Sequence, residues 1–230
     1  MHVKHIATST VALVPWDPLS PEHIDRLTQQ RIDCGWHVDK PSGAWKEAQQ
    51  GGIKCIYWLV LQSHDPQAGE MIQLHKSAHP KQGDPLLDTC TTLRGLALQP
   101  SGKEFFPVGH IALDISYYEA DGFNLNLPEG STLWIKSLFI SKALRSSGIG
   151  RAAMDKLEGM ATSPPLSATT LMLDTLFKDD QIRFQKPKVA NQDWYARRGY
   201  RLVHTEPGFY EDEKQFQGAI PRTVFMRKDL

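Results

Sequence analysis

Ile140-Ser141-Lys142-Ala143-Leu144-Arg145-Ser146-Ser147-Gly148-Ile149-Gly150-Arg151 is the stretch on which the fold of this chain turns. Before it comes the apolar, β-branched run TLWIKSLFI (132–140), which predicts a strand. After it comes a helix. Ile149, Ala152, Ala153, Leu157 and Met160 fall on one face, and Arg151, Asp155 and Glu158 fall mostly away from it. Gly159 and Pro164-Pro165 close that helix. Gly148 and Gly150 sit at its start, where a helical glycine costs roughly 1 kcal/mol against alanine. The compensating use is backbone access. Without Cβ atoms, the N–H groups from Ser146 to Arg151 can close on a ligand. A helix N-terminus also carries about half a positive charge. Together these make an anion site suited to phosphate or pyrophosphate, with Lys142, Arg145 and Arg151 as nearby cations.

The pattern excludes two common phosphate loops. Arg151 and Ala152 follow Gly150, so the Gly-Lys-[Ser/Thr] ending of a triphosphate loop is missing, and so is the GxGxxG order of a dinucleotide site. What remains is Arg-x-x-Gly-x-Gly after an apolar strand. It resembles the acetyl-CoA signature of the GCN5-related N-acetyltransferase (GNAT) superfamily. A second stretch, Asn191-Gln192-Asp193-Trp194-Tyr195-Ala196-Arg197-Arg198-Gly199-Tyr200, is similar to that superfamily's later motif. Asn191 and Tyr195 share a helix face there, and Gly199 fits the left-handed position that stops the helix. A strand, 171–175, lies between the two motifs, and the resemblance covers about residues 130 to 205.

The resemblance implies a fold and a set of roles. The fold is α/β (α+β): one domain over 1–230, with a mixed central sheet of about six to seven strands and helices on both faces. The sheet splays between its fourth and fifth strands, where the fourth is bulged. The backbone of Leu138, Phe139 and Ile140 pairs with the pantetheine arm of acetyl-CoA. Arg145, Ser146, Ser147, Gly148, Ile149, Gly150 and Arg151 hold the pyrophosphate, and Asn191 supports the cofactor from the other side. Tyr195 aims its hydroxyl at the thioester sulfur. Trp36, His37 and Trp134 fall in the acceptor region.

The implied reaction is direct attack by an amine on acetyl-CoA in a ternary complex. An alkyl ammonium has a pKa of about 10.4, so the site must accept a proton. The leaving thiolate resembles a thiol of pKa about 8.5, and a tyrosine near 10 can protonate it; Tyr195 is the candidate acid. The base is less evident. Relatives place a Glu on the fourth strand, and here Trp134-Ile135-Lys136-Ser137 has none. Asp174, His110 and His37 are the candidates, with Asp174 taken first. A small-molecule primary amine is the expected acceptor. A protein or peptide acceptor, or a non-catalytic acyl-CoA-binding module, are the alternatives.

The rest of the chain narrows the partners. Lys plus Arg equals Asp plus Glu at 26 each, which leaves no electrostatic footprint for nucleic acid or an anionic membrane. A homodimer stays open. Cys34, Cys55 and Cys90 are odd in number and widely spaced, so neither a disulfide framework nor a metal site is expected. The longest apolar run near the start, Val11 to Trp16, is too short for a signal peptide, and Ile56 to Leu61 is too short to cross a bilayer. A cytoplasmic protein is therefore expected, with the nucleus open. Strands are expected at 11–14, 55–61, 93–98 and 108–115, and helices after Ser20-Pro21 and Ser42. Residues 63–91, with His64, His75 and His79, read as a solvated loop in which no helical pairing of the histidines is expected. Residues 176–190 read as a second insert loop.

Overall fold

The structure, a computed structural model, describes residues 10–128, 130–210 and 216–230. Residues 1–9, ahead of the run Val11 to Trp16, lie outside the described residues. Among the described residues, seven strands form one mixed sheet: β1 (Val11–Pro15), β2 (Ile56–Leu61), β3 (Pro107–Asp114), β4 (Thr132–Ile140), β5 (Thr170–Leu176), β6 (Arg201–Pro207) and β7 (Arg222–Asp229). Their order is β1-β2-β3-β4-β5-β7-β6. This is the mixed α/β sheet that the sequence predicts. The chain groups into two compact units, one running through Ile115 and taking in Ser137–Met160, the other made of Ser116–Lys136 and Ala161–Leu230. The chain passes between them at three points, so neither is a continuous stretch of sequence.

In the first unit, β1 and β2 pair antiparallel, as do β2 and β3. Helix α1 (Pro21–Cys34) starts as its sequence dictates: the Ser20 side chain accepts from the His23 amide, and Pro21 occupies the first turn. Gly35, at φ 86°, ends it by donating its N–H to the Arg31 carbonyl. Trp16, Leu27, Ile56, Trp58, Leu86, Phe105 and Ala112 form the core. Each fully buried large side chain there contributes about 1.5–3 kcal/mol. Every residue of β3 is buried, so both of its faces are covered. Helix α2 (Ala44–Gln50) lies where one was expected after Ser42, with Gln49 its buried residue; α4 (Ile149–Thr162) buries the expected face but runs through Gly159 instead of ending there.

Two expectations for this unit are corrected. Residues 63–91 are not a plain loop, because α3 (Ala68–Ala78) occupies them, and His75 and His79 stand one helical turn apart. The polar composition misled, because α3 anchors itself through polar side chains rather than an apolar stripe. Residues 93–98 are not one strand. Thr92–Leu93 pairs back on Leu96–Ala97 in a tight hairpin. Arg94 and Gly95 both take positive φ, 53° and 73°, the geometry of a two-residue hairpin turn.

In the second unit, β5 pairs antiparallel with β7, and β7 with β6. A parallel ladder joins Thr132, Leu133 and Trp134 of β4 to Thr170, Leu171 and Met172 of β5. The core gathers Ala120, Leu125, Trp134, Met172 and Phe225, with Tyr117, Phe123, Val203 and Phe209 against it. The expected loop at 176–190 contains helix α5 (Lys178–Gln185). Asp180 takes Arg222 in a two-pronged pair with N–O distances of 2.8 and 3.0 Å. The Gln181 side chain then accepts from the Asn191 amide at 2.7 Å, which fixes the start of α6 (Asn191–Ala196).

Candidate active site

The first unit carries the loop that the sequence reads as an anion site. Leu144 and Ile149 are buried and pin its two ends, while Arg145, Ser146, Ser147, Gly148 and Arg151 are exposed between and beside them. Ser146 and Gly148 both take the left-handed conformation, φ 68° and 89°. The chain thereby coils tightly ahead of α4. Ser147 Oγ donates to the Leu144 carbonyl at 2.6 Å and braces the coil. The first helical bond runs from the Ala152 amide to the Gly148 carbonyl, so the amides of Ile149, Gly150 and Arg151 lie ahead of it. Amides in that place are the ones a helix leaves for a ligand.

The strand feeding the loop has its own irregularity. Ser137 sits at φ 55° in the middle of β4, which breaks the strand's alternation and turns the segment after it. Leu138 and Ile140 are half-buried and Phe139 is buried. Phe139 stacks on His110 with ring centroids 5.4 Å apart. Gly109 lies under the Phe139 carbonyl, where a Cβ would collide with that oxygen and approach Ile140 Cα to 3.2 Å.

His110 does not suit the base role. Its Nε2 faces the Arg31 guanidinium at 3.2 Å and its Nδ1 faces Gln30 Oε1 at 2.8 Å. A guanidinium only donates, so Nε2 carries the lone pair and Nδ1–H donates to Gln30. Burial, and then Arg31 and Lys54, hold its pKa well below the ordinary imidazole value. His110 is thus a neutral, fully bonded core group. His37 is exposed and left-handed at φ 53°, between Trp36 (6.4 Å) and Trp45 (5.9 Å). The Trp36 carbonyl accepts from Arg31 Nε at 2.8 Å.

The second unit carries a titratable cluster. Asp174 on β5 pairs with Lys136 on β4 and accepts the Tyr210 hydroxyl. The Lys136 ammonium also lies over the Tyr117 ring, 3.3 Å from its centroid. The strand register explains the pair. The paired ladder ends at Trp134 and Met172, and Lys136 and Asp174 each lie two residues past that end, close enough for their side chains to meet. Tyr195 packs on Trp194 and Tyr200, with centroids 4.9 and 6.0 Å away. Burial raises its pKa above the ordinary phenol value, with the Asp174 charge adding to the shift. Tyr210 is raised well above it for the same two reasons. Both phenols therefore hold their protons at neutral pH. The Asn191 side chain is exposed, and Gly199, at φ 91°, stops the turn after α6 as expected. Trp134, expected in the acceptor region, is only 4% exposed and packs on Tyr117 (5.0 Å) and Phe225 (6.3 Å), a core position.

Sequence reasoning passed over Tyr210, Tyr117 and the partner of Lys136. One signal was available: Lys136 and Asp174 are the single charged residues in two apolar strand runs. Charges in such runs are expected to find each other. Among the described residues there is no group of three or more His, Cys, Asp or Glu side chains that could hold a metal, and no helix long and apolar enough to cross a membrane.

A model of the acetyltransferase (GNAT) family matches residues 72–200. The chain belongs to this family. Both the anion loop and the α6 motif fall inside that match. No curated protein matches the sequence. Among solved structures, this GNAT chain is similar to Arabidopsis thaliana NAA60 in complex with a bisubstrate analogue, at TM-score 0.57 and 14% identity over 96% of this chain and 99% of that one. It is also similar to RimL, a ribosomal-protein alpha-N-acetyltransferase, at 0.52 and 10% over 96% and 94%. A chimera of the spermidine N-acetyltransferase SpeG from Vibrio cholerae aligns at 0.51 and 9% over 96% of each chain. At these identities the likeness is one of fold.

Proposed function

We propose that this GNAT member is an N-acetyltransferase that moves the acetyl group of acetyl-CoA to a primary amine of a small molecule. The observation that carries the donor is the Arg145-to-Arg151 loop, coiled by two left-handed residues ahead of α4 with first-turn amides beyond it. NAA60, of the same fold, is known in complex with acetyl-CoA, which supports the donor assignment. In this reading the loop holds the diphosphate and Leu138 to Ile140 carry the pantetheine arm. Arg145 and Arg151, both exposed, add charge at the diphosphate, and Asn191 supports the cofactor.

The chemistry follows from the second unit. The amine nitrogen attacks the thioester carbon, the C–S bond breaks, and the thiolate takes the Tyr195 proton. Burial raises the pKa of this phenol, so it is protonated at neutral pH and yields its proton only as charge develops on the leaving sulfur. The proton lost by the amine goes toward Asp174. Since Tyr210 already donates its hydroxyl to that carboxylate, the phenol oxygen can take a proton as it passes its own on. Trp36 and His37 belong to the acceptor side in this reading.

The test is release of coenzyme A thiol from acetyl-CoA over a panel of polyamines, other small amines and peptides with free N-termini. We expect turnover with small amines. We also expect Tyr195→Phe to lower kcat by about 10²-fold or more, with the acetyl-CoA KM unchanged. Turnover confined to peptides would transfer the acceptor assignment to proteins. CoA binding without thiol release for any amine would make the chain a binding module. Unchanged kcat in Tyr195→Phe at every pH removes the acid.

A further inference from the structure

Helix α3 lies in a stretch whose composition reads as solvated, yet its last turn is tied down at several points. His75 is 1% exposed, and its Nδ1 shares a 2.9 Å hydrogen bond with Ser141 Oγ. Ser141 is itself buried, and its amide donates to the Val108 carbonyl of β3 at 2.8 Å. Its carbonyl accepts from the Leu144 amide at 2.9 Å, closing the turn from which Arg145 enters the anion loop. His75 therefore grips the residue that launches that loop. The helix end is fixed in turn: His79 Nδ1 lies 2.9 Å from Asp33 of α1, and Gln82 Nε2 donates to the same carboxylate at 2.7 Å. Lys76 lies over the Phe106 ring at 4.3 Å.

The arrangement is expensive for a purely structural one. His75 Nε2 is buried without a hydrogen-bond partner among the described residues, so the ring's one side-chain bond is the one to Ser141. An apolar side chain would fill the same space without an orphaned polar atom. Burial, and then the neighbouring His79 and Arg26, disfavour the ring's charged form, while Asp33 opposes them. A neutral imidazole kept here at that cost is explained by what it holds.

We infer that His75 is a positioning residue for the donor loop, acting through Ser141, so that the insert helix α3 sets the affinity for acetyl-CoA. This rests on the reading that residues 145–151 bind the diphosphate. Calorimetric titration with coenzyme A, together with steady-state kinetics, tests it on the full chain. Ser141→Ala and His75→Ala should each raise the CoA Kd and the acetyl-CoA KM about tenfold, the size expected for one buried hydrogen bond. The acceptor KM should not move. The double variant should be no weaker than either single one, because both remove the same bond. His75→Asn offers a donor or an acceptor close to the place of Nδ1, so it should restore affinity to within about threefold. A wild-type chain that binds no coenzyme A overturns the donor reading and this inference with it. Wild-type binding with an unchanged Kd in Ser141→Ala overturns this inference alone. So does a Kd in His75→Asn no better than in His75→Ala.

Discussion

The Lys136 and Asp174 pair gives the most direct quantitative test of the second unit. The two side chains are 13% and 3% exposed, so neither charge has water to fall back on. Removing one partner of a buried pair typically costs about 3–5 kcal/mol, because the other charge stays desolvated and unpaired. Lys136 retains the Tyr117 ring, which places Asp174→Asn at the lower end, near about 3 kcal/mol. For a chain of this size each kcal/mol moves Tm by about 2–4 °C, so we expect a loss of about 6–12 °C. Lys136→Met should cost a similar amount. The double variant should not: the asparagine side-chain carbonyl in that background still accepts the Tyr210 hydroxyl, and no charge is left buried. Denaturant midpoints at constant slope measure all three. We expect a coupling of at least about 1.5 kcal/mol in favour of the double variant. If the two single costs simply add within about 0.5 kcal/mol, the pair is not a coupled buried unit. The role given to Asp174 in receiving the amine proton then loses its structural basis.

Two further outcomes follow from the first unit. Gly109→Ala places a Cβ against the Phe139 carbonyl, and a backbone atom cannot swing aside. We expect about 1–3 kcal/mol of destabilisation and a raised acetyl-CoA KM, because relief must come from the Leu138-to-Ile140 segment; a wild-type melting curve and KM would refute this. His75, lowered by burial from 6.5 to about 4, must stay neutral while the unfolded chain takes up a proton below pH 6.5. Stability is therefore fully present above 6.5 and declines as the pH falls toward 4. His75→Asn should flatten that limb in denaturant titrations between about pH 4 and 7, and a limb of unchanged slope would show that His75 does not titrate with unfolding.

Much of the fold can be read locally. The run 132–140, the coil at 145–148 and the helix from Ile149 each follow from short-range rules of strand content, φ and helix period. Ser20 with Pro21, and Gly199 after α6, work the same way, since a cap satisfies groups only a few residues away. The hairpin at Arg94-Gly95 escaped because arginine is not a residue whose chemistry announces a left-handed turn. Helix α3 escaped because its anchors are remote: Ser141 lies 66 residues from His75, and Asp33, the partner of His79, belongs to α1.

The coil at 145–148 ahead of α4 was legible in the sequence, because it needs only backbone geometry over a handful of consecutive residues. The cluster of Lys136, Asp174 and Tyr210 was decided by tertiary structure. Lys136 meets Asp174 across 38 residues just past the end of a parallel ladder, and Tyr210 arrives from a connection 36 residues beyond Asp174. The same packing put Trp134 into the core and turned His110 into a bonded neutral group. Register, burial and the sharing of a carboxylate depend on which strands become neighbours, and no local pattern encodes that choice.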